Sequence, residues 1–180
     1  SEVLGYPYGS PTSIEFCRLI LTRLRDSCYE ASCDLAVEKG AFDLFRPEAY
    51  GQGQFIKTLP TRLQERIAKT GIRNSHLTSI APTGTISLTA DNVSSGIEPV
   101  FEKEYTRTVI MPEGTKVETV QDYGYRVWGV EPTTSDKVTA QQHVSLLCAA
   151  AALVDSSVSK TCNVNNDMAW DDFKNIYWYA

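Results

Sequence analysis

Residues 80–87 read Ile80-Ala81-Pro82-Thr83-Gly84-Thr85-Ile86-Ser87, or IAPTGTIS, and they join an apolar stretch to small and hydroxylated residues. The preceding SHLTSIA (75–81) has the pattern of a strand, and residues 85–93 can form one or two helical turns. Pro82 ends the strand because it has no backbone N–H, and Gly84 lets a ligand approach the backbone closely. This stretch therefore predicts a strand, a loop and a helix in direct succession.

The loop between the strand and the helix has two interpretations. A helix that begins near Thr85 leaves its first N–H groups unpaired at the positive end of its dipole. With the hydroxyls of Thr83, Thr85 and Ser87, these groups could hold a phosphate without Lys or Arg. Alternatively, a threonine only caps the helix and Gly84 only turns the chain. The spacing is that of neither a Walker loop nor a GxGxxG loop, so the pattern alone leaves both interpretations open.

Composition limits the function classes. The chain has 180 residues and a formal net charge of −5, which argues against a general binder of nucleic acid or of acidic membranes. No apolar run reaches the roughly 18 residues of a membrane span, and the first ten residues lack the features of a signal peptide. Five cysteines form no CxxC pair and only two histidines occur, so a structural zinc site is not expected. A reducing cytoplasm is the expected compartment.

The rest of the chain alternates between helical and extended patterns, which indicates the α/β class. The predicted elements are a long helix ending at Gly40, a short helix (60–71), a strand (102–110), an Ala-rich helix (140–155), a strand (158–164) and a last helix from Trp170. Residues 41–59 read as irregular, and residues 117–131 are ambiguous. Thr12 and Glu15 fit a capping box at the start of the long helix, with Pro11 in its first turn.

The long helix carries one apolar stripe. Its residues, spaced by three and four, are Ile14, Cys17, Ile20, Leu21, Leu24, Cys28, Ala31 and Leu35. This spacing predicts a buried face on which Cys17 and Cys28 are small core residues. Cys33 lies off the stripe and is predicted to be a half-exposed thiol. His76 and His143 are each isolated in sequence, and both are expected to be structural.

A family resemblance appears when the loop is taken with its neighbours. The run RNSHLTSIAPTGTISLTADNVSSGIEPVFEKEYTR (73–107) resembles the catalytic large subunit of ribonucleotide reductases. VSKTCNV (158–164) resembles that family's SKT-x-N strand, and the two segments follow the family's order and spacing. The PTGTIS and SSGIEP pair is most similar to the adenosylcobalamin-dependent, class II enzymes. Cys162 replaces the Ile common in the family, and we interpret it as a core substitution rather than a redox cysteine.

The resemblance covers nearly the whole chain and implies a fold and a site. The family folds as a ten-stranded α/β barrel made of two five-stranded parallel halves. Residues 1–180 would form one partial barrel domain, roughly the second half, incomplete at both ends. The loop would anchor a ribonucleoside di- or triphosphate while thiyl-radical chemistry reduces the ribose. The implied substrate-binding residues are Pro82, Thr83, Gly84, Thr85 and Ile86, with Ser87 as a further candidate.

The resemblance also implies what lies elsewhere. The family's Asn-x-Cys-x-Glu type motif does not occur in this chain, so no catalytic residue and no metal ligand is assigned here. Adenosylcobalamin would be bound mainly by parts outside the chain. The expected partners are a missing N-terminal reductase segment and a thioredoxin-like reductant, with no membrane and no nucleic acid. Ser1 is where an intein splice junction or an ordinary fragment boundary would fall. The alternative function is a non-catalytic nucleotide- or phosphate-binding remnant.

Overall fold

The computed structural model describes all residues 1–180. Its helices are α1 (Pro11–Lys39), α2 (Pro47–Gly51), α3 (Gln54–Lys57), α4 (Thr61–Thr70), α5 (Gly84–Thr89), α6 (Tyr123–Trp128), α7 (Ala140–Ala151) and α8 (Trp170–Tyr179). Its one sheet consists of β1 (Glu104–Met111) and β2 (Gly114–Gln121). Single turns of 3-10 helix occur at Glu2–Leu4 and Ser135–Lys137. None of the helices has both the length and the hydropathy that a membrane span requires.

The chain is organised in two compact units, each built from separated segments. The first unit contains residues 1–17, 81–148 and 159–180. The second unit contains residues 18–80 and 149–158. The loop over 82–87 and the SSGIEP segment (94–99) belong to the first unit, as does the SKT segment from Ser159 onward. Ile80 and Val158 belong to the second unit.

The core of the second unit forms between α1 and the helices that follow it. Its buried residues are Tyr29, Cys33, Ile56, Leu59, Leu63, Ile67 and Ile72. Leu63 and Ile67 lie four residues apart, so they occupy one face of α4. The predicted helix over 60–71 is confirmed, whereas residues 41–59 hold the short helices α2 and α3 instead of irregular chain.

The buried face of α1 differs from the predicted stripe. Ile20 and Leu24 are each 49% exposed, whereas Tyr29 and Cys33 are fully buried. The prediction of a half-exposed Cys33 is therefore wrong. The spacing of apolar residues located a helix correctly, but the contacts with the α4 side chains decided which face of that helix is covered.

Two predicted strands, 75–81 and 158–164, are absent. They are replaced by a single parallel bridge between Ile80 and Val158, with Ile80 N–H donating to the carbonyl of Ser157. The carboxylate of Asp155 instead accepts the N–H groups of Leu77 and Thr78, at 2.7 and 2.8 Å. Parallel pairs are stable within wide sheets, and this pair has no flanking strand on either side.

The first unit contains the antiparallel hairpin of β1 and β2. The register pairs Glu104 with Gln121 and Met111 with Gly114, so the predicted strand over 102–110 is confirmed. The ambiguous residues 117–131 divide between β2 and α6. The Asp122 carboxylate caps α6 by accepting the Tyr125 N–H at 3.1 Å.

Two helix starts in this unit are set by local polar side chains. The cap of α1 is Ser10, whose hydroxyl accepts the Ser13 N–H at 3.1 Å, so the predicted Thr12 and Glu15 box is wrong. A capping box does occur at α7. Thr139 N–H donates to Gln142 Oε1 at 2.9 Å, and Gln142 N–H donates back to Thr139 Oγ1 at 3.3 Å.

The fold class is confirmed as a mixture of helix and strand. The only sheet has two antiparallel strands, so it does not show a portion of a ten-stranded barrel. The organisation as one partial barrel domain stays a prediction.

Candidate functional site

The loop over 82–87 adopts an unusual backbone conformation. Thr83 has φ +50°, a left-handed value that is uncommon for a residue with a Cβ, and it immediately precedes α5. Its hydroxyl accepts the N–H of Gly96 at 2.8 Å, which ties the loop to the SSGIEP segment. Left-handed non-glycine residues of this kind often occur at functional sites, where surrounding contacts hold them in place.

Helix α5 begins at Gly84, close to the predicted start at Thr85. The first helical bond runs from Ser87 N–H to the Thr83 carbonyl, so the N–H groups of Gly84, Thr85 and Ile86 lack an acceptor. These three donors remain available to an anion.

The three loop hydroxyls are not equivalent. The Ser87 hydroxyl donates to the Gly84 carbonyl at 2.8 Å, so its proton is already used. The Thr83 oxygen accepts a bond but retains its own proton, and the exposed Thr85 hydroxyl makes no hydrogen bond. Thr83 and Thr85 can therefore donate to a phosphate oxygen, whereas Ser87 would first have to break its bond within α5.

A cluster of charged groups connects SSGIEP to the SKT segment. The Lys160 ammonium donates to Glu98 Oε2 at 2.5 Å, to His143 Nδ1 at 2.7 Å and to the Thr161 carbonyl at 2.5 Å. The second oxygen of Glu98 accepts the Thr161 N–H at 2.6 Å. The Lys160 side chain is 2% exposed, and all three of its donors have acceptors. The cluster therefore satisfies a buried cation completely.

The same cluster determines the state of His143. Because its Nδ1 accepts from an ammonium group, the imidazole is neutral and carries its proton on Nε2. Burial, followed by the positive charge of Lys160, lowers the pKa of His143 to about 4, although Glu98 acts in the opposite direction. The buried Nε2 has no hydrogen-bond partner. The structural role expected of His143 stays a prediction.

Segments from all three sequence motifs line one cavity of about 560 Å³ in the first unit. The residues from the motifs are Gly84 and Ser87, then Ser94, Ser95, Glu98 and Pro99, then Thr161 and Asn163. The volume suits a small organic ligand. The order of these segments along the chain does not show how close they lie in space. The fold brings them together around this cavity.

The predicted site residues divide into two groups. Gly84 and Ser87 line the cavity. Pro82, Thr83, Thr85 and Ile86 do not, and Ile86 is 67% exposed. Sequence reasoning missed Arg107, the only basic residue of the lining, although the strand pattern over 102–110 marked the element that carries it.

No cysteine lines the cavity. All five cysteines are free thiols. Burial raises the pKa of the Cys162 thiol, with a partial opposite effect from Lys160, so this residue favours its protonated form. No group of three or more side chains is arranged to hold a metal ion.

The comparisons with known proteins agree on one family. The model of the family described as "Ribonucleotide reductase, barrel domain" matches residues 3–127. A Mycobacterium tuberculosis protein named vitamin B12-dependent ribonucleoside-diphosphate reductase is 29% identical over 97% of this chain and 27% of its own length. A Thermoplasma acidophilum protein of the same name is also 29% identical, over 98% of this chain and 24% of its own length.

A relative whose name does not mention vitamin B12 matches part of the chain. A Caenorhabditis elegans protein named ribonucleoside-diphosphate reductase large subunit is 32% identical over 60% of this chain and 15% of its own length. The chain thus spans about a quarter of the length of the B12-dependent relatives that it matches.

Proposed function

This chain belongs to the ribonucleotide reductase large-subunit family, and on that premise we propose that it forms the phosphate-anchoring part of a ribonucleoside-diphosphate reductase. In a complete enzyme it would contribute roughly the second half of the barrel. The observation that carries the proposal is the cavity of about 560 Å³, which is lined by residues of PTGTIS, SSGIEP and SKTCN together.

The chemistry of the loop suits a phosphate anchor. The unpaired N–H groups of Gly84, Thr85 and Ile86 would donate to phosphate oxygens, and the hydroxyls of Thr83 and Thr85 would add two further donors. Pro82, which comes before these donors in the chain, has no backbone N–H of its own. A phosphate that is held but does not react fixes the ribose in position, which is how binding energy away from the reacting atoms favours a reaction.

Reduction of the ribose is assigned to groups outside this chain. No cysteine lines the cavity, so the thiyl radical of the proposed reaction would come from an N-terminal segment, and a thioredoxin-like partner would supply electrons. The free state of all five cysteines fits a reducing, cytoplasmic compartment.

The B12-dependent relatives suggest adenosylcobalamin as the cofactor, which supplies radical chemistry when it is bound. The present residues do not fit a cobalt site, because neither histidine lines the cavity and His143 Nδ1 is already bonded to Lys160. We therefore assign no residue of this chain to the cofactor.

Titration of the isotope-labelled chain with cytidine diphosphate tests the anchor. We expect the amide signals of Gly84, Thr85 and Ile86 to shift, and unphosphorylated cytidine to leave them in place. Equal shifts with both ligands, or none with the diphosphate, would refute the anchor.

The alternative is a non-catalytic nucleotide-binding remnant, and it predicts the same titration. Mixing the chain with an N-terminal reductase segment separates the two functions. Deoxycytidine diphosphate formed in the presence of adenosylcobalamin supports the reductase, whereas binding without product in every such mixture favours the remnant.

A further inference from the structure

We propose that Arg107 is a second contact for the nucleotide phosphates. It would supply a charged donor, whereas the donors of α5 are neutral. This inference rests on the proposed function, because it assigns a further residue to the same cavity. Arg107 is the only Lys or Arg in the cavity lining. The loop sequence did not predict a charged contact, because the donors of the loop are backbone N–H groups and hydroxyls.

The hairpin directs Arg107 toward the cavity. Side chains alternate between the two faces of a strand, and Tyr105 and Arg107, two residues apart on β1, both line the cavity. The Tyr105 hydroxyl lies 3.3 Å from Asn92 Oδ1, and the Asn92 amide donates to the Gln121 carbonyl at 3.0 Å. Asn92 follows α5 closely, so these bonds fix the base of the hairpin beside the loop.

The Arg107 guanidinium has no protein partner. Its cross-strand neighbour on β2 is Glu118, whose carboxylate pairs with Lys116 at 2.7 Å instead. The Arg107 side chain makes no hydrogen bond and no ion pair within the protein. Five N–H donors therefore remain free in a fork that matches two phosphate oxygens.

The three carboxylates that line the cavity differ in their partners, and only Glu98 has a cation beside it. Glu98 accepts from Lys160 and from the Thr161 N–H, and Asp122 accepts the Tyr125 N–H. Only Glu102 among the lining carboxylates has no donor. A phosphate entering the cavity would thus meet one cation without a partner, Arg107, and two carboxylates without a cation partner, Glu102 and Asp122. In a chain of net charge −5, this single cation is well suited to offset the charge of the ligand.

Calorimetric titration of the 180-residue chain with cytidine diphosphate, inorganic pyrophosphate and cytidine tests the assignment. We expect Arg107→Gln to raise the Kd of the diphosphate and of pyrophosphate about tenfold or more, because it removes a charge-assisted bond. The Kd values of Arg107→Lys should lie between those of the wild-type chain and of Arg107→Gln, because lysine keeps the charge but cannot donate two parallel bonds to a phosphate. The Kd of cytidine should not change.

Lys137→Gln is the matched control, because it removes a positive charge from the same unit at an exposed residue that makes no ion pair and lies outside the cavity lining. A loss of affinity equal to that of Arg107→Gln would reduce the effect to general electrostatics and overturn the inference. A signal from the wild-type Arg107 Nε–H that does not move with pyrophosphate would overturn it without any variant.

The outcomes separate the two proposals. Wild-type affinity in Arg107→Gln, with the α5 amide signals still shifting, would remove Arg107 from the site and leave the phosphate anchor in place. Absence of diphosphate binding by the wild-type chain would remove both. An increased Kd for cytidine would assign Arg107 to the base instead of the phosphates.

Discussion

The ammonium group of Lys160 lies 2.5 Å from Glu98 Oε2, and this contact joins two residues that are 62 positions apart in the chain. Glu98 lines the candidate phosphate cavity, whereas Lys160 lies behind it with a side chain that is 2% exposed. Lys160 is therefore a positioning residue, since it holds the carboxylate that forms part of the wall.

Replacing Lys160 by Met should lower the free energy of unfolding by about 3 kcal/mol, because it leaves the Glu98 carboxylate without its cation. Urea unfolding of the chain measures this change. In the double variant Lys160→Met, Glu98→Gln, we expect a smaller loss than the sum of the two single changes. Additive losses would show that the two side chains are not coupled.

His143 predicts a specific dependence of stability on pH. Its pKa is lowered in the folded chain to about 4, from an ordinary value of 6.5, by burial and by Lys160. Between these two values the unfolded chain binds a proton that the folded chain does not, so stability falls as the pH drops from about 6.5 toward 4.

The groups around this imidazole are Lys160, Glu98 and the Tyr8 ring. His143→Gln should flatten the fall in the urea midpoint between pH 7 and pH 4.5. The inference fails if His143→Gln keeps the wild-type slope.

The loop hydroxyls predict an order of effects on nucleotide binding. Thr85→Val removes an exposed donor and should weaken binding of cytidine diphosphate by about 2 kcal/mol, because a bond to a charged group is lost. Ser87→Ala should have little effect on affinity, since its proton is used by the Gly84 carbonyl. The combined change Thr83→Val, Thr85→Val should cost more than Thr85→Val alone, about 3 kcal/mol. A larger loss in Ser87→Ala than in Thr85→Val would reverse this assignment.

The core of the second unit predicts a contrast between two leucines. Leu63 is fully buried, so Leu63→Ala should lower the free energy of unfolding by about 3 kcal/mol through lost burial and a residual cavity. Leu19 on α1 is 64% exposed, and Leu19→Ala should change stability by about 0.5 kcal/mol or less. Chemical denaturation of both variants measures the difference. Similar losses would contradict the buried face assigned to α1.

Much of the local structure was predictable because it depends on neighbours in sequence. The start of α5 at Gly84 and the strand β1 follow from proline, glycine and side-chain alternation within a few residues. The strands over 75–81 and 158–164 were not predictable in the same way. A parallel strand is stabilised by partners distant in sequence, and here Asp155 binds N–H groups that a ladder would otherwise use.

By itself, the sequence determined the family resemblance, the mixed class and the loop that offers free N–H groups, since each depends on residue type and short spacing. Only the tertiary structure decided that Gly84, Glu98, Arg107 and Thr161 line one cavity. It also decided that Lys160 is satisfied by Glu98 and His143, and that Cys33 is buried. These relationships join residues that are far apart in the chain, so they exist only after folding has brought the segments together.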